Sequence, residues 1–176
     1  MWPAKATRRD ADIQQALRDA AVAKIEVGFS HPSFDLWLLL HFQSFAGAQS
    51  GSSKLVIEKL RNAIGAFKDY DKRNDKSIKG VRREALRGRE KTAADNARAL
   101  VGTCVSGACK AAQSKTEPVD RDAPTESSAQ WSARSGHAAH CPVLERDPCT
   151  DVWRLLAALG IVSYTKVADL RGETGF

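Results

Sequence analysis

The most apolar stretch of the chain, Phe34 to Phe45, sets the pattern for everything around it. Phe34, Trp37, Leu38, His41, Phe42 and Phe45 fall on one helical face, and Leu36, Leu39 and Leu40 widen that face over most of the circumference. A helix apolar nearly all round is buried on most of its surface. The run is twelve residues long and is broken by Asp35, His41 and Gln43. Since a membrane span needs roughly 20 mostly apolar residues, this is a core helix. Pro32 suits the first helical position, with His31 at the cap and Ser30 just outside.

On either side the periods change. Asp10 to Ala23 places Ile13, Ala16, Leu17, Ala20 and Ala21 at helical spacing, with Asp10 or Asp12 able to cap. Lys24 to Phe29 alternates in period two and predicts a short strand. After a small-residue loop at 47–53, a helix is expected over Ser53–Phe67, carrying Leu55, Val56, Leu60, Ala63, Ile64 and Phe67. A loop over 71–80 and a charged helix over Val81–Leu100, weakened at Gly88, complete this part.

Residues 101–146 are rich in Ser, Ala, Gly, Thr and Pro and show no period, which predicts a long disordered insertion. Order is expected to return after Asp147, where Thr150 or Asp151 caps a helix bearing Val152, Leu155, Leu156 and Leu159. The reading is a mostly α-helical chain with one or few short strands. Residues 1–100 form its main part, 101–146 an insertion, and 147–176 the closing helix and tail.

Charge adds one feature. Of the net +6 carried by 176 residues, the segment 68–91 supplies a surplus of five, from ten Lys or Arg against five Asp or Glu. Lys72, Arg73, Lys76, Lys79, Arg82 and Arg83 are therefore candidates for phosphate contact, with an ordinary solvated face as the alternative. No secretory h-region opens the chain, so the cytoplasm and reduced cysteines are expected.

Spacing alone offers little chemistry. Asp10-Ala-Asp12 is formally an acidic metal-binding pair, but helix capping is the better reading. Asp35 lies in a first helical turn, where a carboxylate complements the dipole. His41 shares a face with Trp37 and Phe45 and reads as a satisfied, buried histidine. Cys104-x4-Cys109 followed by His137-x2-His140-Cys141 resembles a set of zinc ligands, although 27 residues separate the two halves. There is no phosphate-binding glycine loop, no defensible Ser-His-Asp order and no nucleic-acid module.

The stretch SHPSFDLWLLLHF at 30–42 resembles the signature of the RloB family, S-N-P-x-F-E-x-W-L-L-L-H-F, through Ser30, Pro32, Phe34 and Trp37. His31 stands where the family has Asn, and Asp35 where it has Glu. Two weaker features follow in family order. They are Tyr70-Asp-Lys72 for a Tyr-x-Lys, and Asp147-Pro148-Cys-Thr150-Asp-Val for Asn-Pro-Ser-Thr-x-Val. The resemblance implies a Toprim-like α/β nuclease of abortive-infection or restriction-linked antiphage defence, commonly with an AAA- or ABC-type ATPase partner. It also implies Mg²⁺, held by a Glu-Gly strand end expected to lie ahead of this chain and by an Asp-x-Asp whose positions fall near Ala6 and Arg8 here, where no carboxylates stand. The expectation is therefore an amino-terminally truncated member, inactive alone. Asp35 (a possible outer metal contact), His41 and Lys72 (a phosphate contact) are its remaining catalytic candidates. The alternative is a non-catalytic nucleic-acid or partner-binding remnant using residues 68–91.

Overall fold

The computed structural model describes residues 8–45, 52–104 and 106–164. Among them are seven α-helices and one two-stranded antiparallel sheet. Helix α1 spans Arg8–Ala23, and strand β1 is the pair Ser30–His31. Next come α2 (Asp35–Leu40), α3 (Ser53–Ala63), α4 (Val81–Leu86) and α5 (Glu90–Val101). Helix α6 (Ser128–Ser132), strand β2 (Cys149–Thr150) and α7 (Val152–Ala158) follow.

Helix α2 is the centre of the core. All six of its residues are buried, and it packs on α3 and α5, with α5 in turn packed on α7. Burying four leucines at about 1.5–3 kcal/mol each gives an upper estimate of roughly 6–12 kcal/mol, comparable with a domain's whole net stability. The orphan carbonyl of Leu40 at the end of α2 accepts from the Asn96 side chain of α5 at 2.8 Å. Helix α2 is shorter than the apolar run predicts. Pro32 and Phe34 lie outside it, and Phe34 is 55% exposed rather than on the buried face.

The expected strand at 24–29 does not form. Lys24 takes a left-handed conformation (φ 54°), and the Ile25 N–H closes back on Ala20 O at 2.9 Å, so α1 ends in a tight turn. The carbonyls that a sheet partner would have used are taken individually. Ile25 O accepts from the Trp131 indole at 3.0 Å, and Phe29 O accepts from the Asp151 amide at 2.7 Å. Pairing begins only at Ser30, opposite Thr150, with His31 opposite Cys149. The parallel sheet of a Toprim-like core is thus not among the described elements.

The charged helix expected over 81–100 is two helices, divided where Gly88 adopts φ +75°. Residues 101–146 also depart from expectation. Trp131 of α6 is buried against Ala20 and Ala21 of α1, while Cys109, His137, Cys141 and Val143 are buried too. A few well-placed anchors hold this polar segment, and averaged composition does not register them. Among the described residues no helix is long and apolar enough to cross a membrane.

Candidate functional site

Two of the three family-like motifs meet at Asp35. Asp35 is 3% exposed, and its carboxylate carries three donors. Tyr70 Oη donates to Oδ1 at 2.6 Å, while Ser33 Oγ and Lys76 Nζ donate to Oδ2 at 2.9 and 2.8 Å. Burial alone would raise the Asp35 pKa, but the bonds from Lys76, Tyr70 and Ser33 outweigh it and hold the group below its ordinary value. Tyr70 is pushed the other way, by burial and by the Asp35 charge it faces. Helix α2 supplies the carboxylate, and the turn at Gly65–Phe67 leads straight into Tyr70.

Over this junction lies a surface cavity of about 410 Å³ lined by Asp69, Lys72, Arg73, Asp75 and Arg82. The six basic candidates divide here by role. Lys76 is committed to Asp35. Arg82 lies over the Tyr70 ring at 5.3 Å and donates to Asp75 and to Ser77 O, so it holds the loop's shape. Lys72 pairs with Asp69 at 2.7 Å on the surface, and Arg83 with Glu84 at 3.3 Å. Arg73 and Lys79 are exposed and have no acidic partner among the described residues. Three non-glycine residues of this loop are left-handed: Asp71, Arg73 and Asn74, at φ 58°, 57° and 60°. Asp and Asn adopt that region readily, whereas for Arg73 it is uncommon and costs energy.

Asp35 does not suit the Mg²⁺ that the resemblance implies. Magnesium asks for several oxygen ligands, and here an ammonium and two hydroxyls already occupy both carboxylate oxygens. Among the described residues, no group of three or more metal-capable side chains includes Asp35. His41 is not brought to it either. Its Nδ1–H donates to Trp37 O at 2.9 Å, its ring meets Trp37 edge-on, and burial holds its pKa down. That is the satisfied histidine which the apolar face suggests.

The third motif closes on the first. Ser30 and Thr150 share a hydrogen bond at 2.7 Å across the strand pair, and His31 Nε2 lies 3.7 Å from Asp147 Oδ2. The peptide bonds preceding Pro32 and Pro148 are both cis. Of the candidate zinc ligands, Cys104, Cys109, His137 and Cys141 converge, while His140 points into solvent.

Sequence reasoning missed a buried ion network. Arg154 of α7, 2% exposed, pairs with Glu26, which also takes Arg134 at 3.4 Å. Glu26 sits in the stretch read as a strand, and nothing local marks partners more than a hundred residues away.

Fold and site together define a small, mainly helical protein. Its surface cavity, lined by three basic and two acidic residues, is linked to the buried Asp35 carboxylate through Arg82 and Tyr70, and three separated motifs converge on one helix. Residues 3–159 match the family described as RloB-like protein, and the chain belongs to it. No curated protein and no solved structure matches the chain.

Proposed function

We propose that this RloB-like protein serves antiphage defence as a nucleic-acid-contacting component related to nucleases, and that the Asp35 junction positions the contact loop rather than cleaving. Phosphates sit in the cavity beside Lys72 and Arg73, with the exposed Lys79 further along the same loop, while Lys76 and Arg82 hold the loop to Asp35 and Tyr70. The resemblance adds an AAA- or ABC-type ATPase as the partner that would couple binding to a response. The observation that carries this reading is Arg73. It lines the cavity without an acidic partner among the described residues, on a loop held in an uncommon backbone conformation. A guanidinium kept unpaired in such a loop is suited to a bidentate contact with phosphate oxygens.

Binding to labelled duplex DNA or RNA, titrated by anisotropy over a salt series, tests this reading. Each neutralised phosphate contributes a log–log slope of about −0.9 on duplex DNA, so the triple variant Lys72→Ala, Arg73→Ala and Lys79→Ala should flatten it by roughly 3. Lys76 and Arg82 are left in place because replacing them would disturb the loop. A parent chain that binds nothing at physiological salt, or an unchanged slope in the variant, refutes the contact. Mg²⁺-dependent cleavage that is lost in Asp35→Ala refutes the positioning role.

A further inference from the structure

Two short loops that composition alone would leave unstructured meet around four side chains. Cys104 and Cys109 flank a turn directly after α5, in which the Gly107 N–H donates to Cys104 O at 3.0 Å. His137 and Cys141 flank a second turn, closed by the Cys141 N–H on Ala138 O at 2.9 Å. The loops are joined through backbone, Lys110 N–H to Gly136 O at 2.8 Å. A side chain at Gly136 (φ +96°) would bring its Cβ within 2.5 Å of Lys110 O. The three sulfurs and one imidazole nitrogen all lie within 4.8 Å of one another. A tetrahedral Zn²⁺, with Zn–S about 2.3 Å and Zn–N about 2.0 Å, spaces its ligand atoms roughly 3.5–3.8 Å apart.

Two further observations point to a ligand. His137 is 4% exposed, yet among the described residues neither of its ring nitrogens has a hydrogen-bond partner. A buried imidazole without any partner is costly unless something coordinates it. The Cys104 and Cys141 sulfurs stand 3.4 Å apart in hydrogen-bond contact with no disulfide between them, and Cys109 Sγ accepts from the Ala138 N–H at 3.3 Å, as a thiolate ligand does.

We propose that Cys104, Cys109, His137 and Cys141 form a closed structural Zn²⁺ site that staples residues 101–146 to the end of α5. On binding, three thiols release their protons to solvent, and Zn²⁺ gains three sulfur bonds and one nitrogen bond with no change of oxidation state. The resulting net charge of −1 faces Arg146, which is 1% exposed and donates to Cys141 O at 2.9 Å. Four protein ligands leave no open position, so the role is structural rather than catalytic. The site is independent of the nucleic-acid reading.

The test uses the full chain, purified from zinc-supplemented cells, with metal measured by mass spectrometry. About one zinc per chain is expected, and Co²⁺ exchange should give the intense visible bands of a tetrahedral thiolate site. Cys109→Ser and His137→Ala should each lower zinc content about tenfold or more, whereas His140→Ala and Cys149→Ser should retain it. Chelation should expose 101–146 to protease. Negligible zinc together with no Co²⁺ spectrum in the reduced parent chain overturns the site, and this reading stands even if the ligand variants fail to fold. Zinc kept in His137→Ala but lost in His140→Ala overturns the ligand assignment. Unchanged proteolysis on metal removal overturns the stapling role.

Discussion

Replacing Tyr70 with Phe isolates one hydrogen bond. The ring stays, with its packing on Phe67 at 5.5 Å and beneath Arg82, and only the hydroxyl that donates to Asp35 Oδ1 is lost. Ser33 and Lys76 both serve the other oxygen, so Oδ1 is left without this donor in a site 3% exposed. Removing one hydrogen bond from a buried charged acceptor costs about 1.5–3 kcal/mol. For a chain of this length that is a fall in melting temperature of roughly 4–10 °C. By contrast, the Lys76 side chain is 45% exposed, so Lys76→Ala should cost only about 1 kcal/mol or less. The pH dependence follows from the depressed pKa of Asp35. A carboxylate held below its ordinary value near 3.8 contributes stability that is present above that pH and is lost as pH falls through the folded value. The gap between parent and Tyr70→Phe should therefore be full at pH 7 and shrink only in acid, as pH falls below the ordinary carboxylate value and through the folded value of Asp35. Urea midpoints in a series from pH 7 down through the acid range below the ordinary carboxylate value measure it. A difference under about 0.5 kcal/mol at pH 7, or one that grows as the pH is lowered, would show that Asp35 is not the anchor described here.

Glu26→Gln keeps the side chain's shape but leaves the buried guanidinium groups of Arg154 and Arg134 without their shared carboxylate. Unfolding should become easier by about 3 kcal/mol, and adding Arg154→Met should recover part of the loss; an additive double variant would disprove the coupling. Gly136→Ala combines a positive φ with a clash against Lys110 O, so a loss of about 2 kcal/mol or more in denaturant midpoint is expected. A neutral outcome there would mean that the two cysteine-bearing loops are not strapped together as described.

Much of the local structure was legible in the chain. The spacing of Leu17, Ala20 and Ala21 marked α1, and the Trp37–Leu40 run marked the buried α2, because helical periodicity and burial are encoded by neighbours within one or two turns. Gly88 was visible as a weak point, and its left-handed φ turned that weakness into a break. The motifs could be read in order, but not what they do to one another. Asp35 meets Tyr70 and Lys76, 35 and 41 residues further on, and Ser30 meets Thr150 at a separation of 120. Contacts at such separations leave no periodic trace, so the tertiary structure alone decided that Lys76 is an anchor and that Arg73 has no acidic partner among the described residues. It decided equally that Lys24–Phe29 forms no strand, since an alternating pattern needs an edge to pair with, and Trp131 and Asp151 take its carbonyls one at a time. Five potential ligands could be counted in the sequence, as a cysteine pair and a distant His-x2-His-Cys cluster. Which histidine joins the cysteines was settled by burial, which turns His137 inward and leaves His140 in solvent.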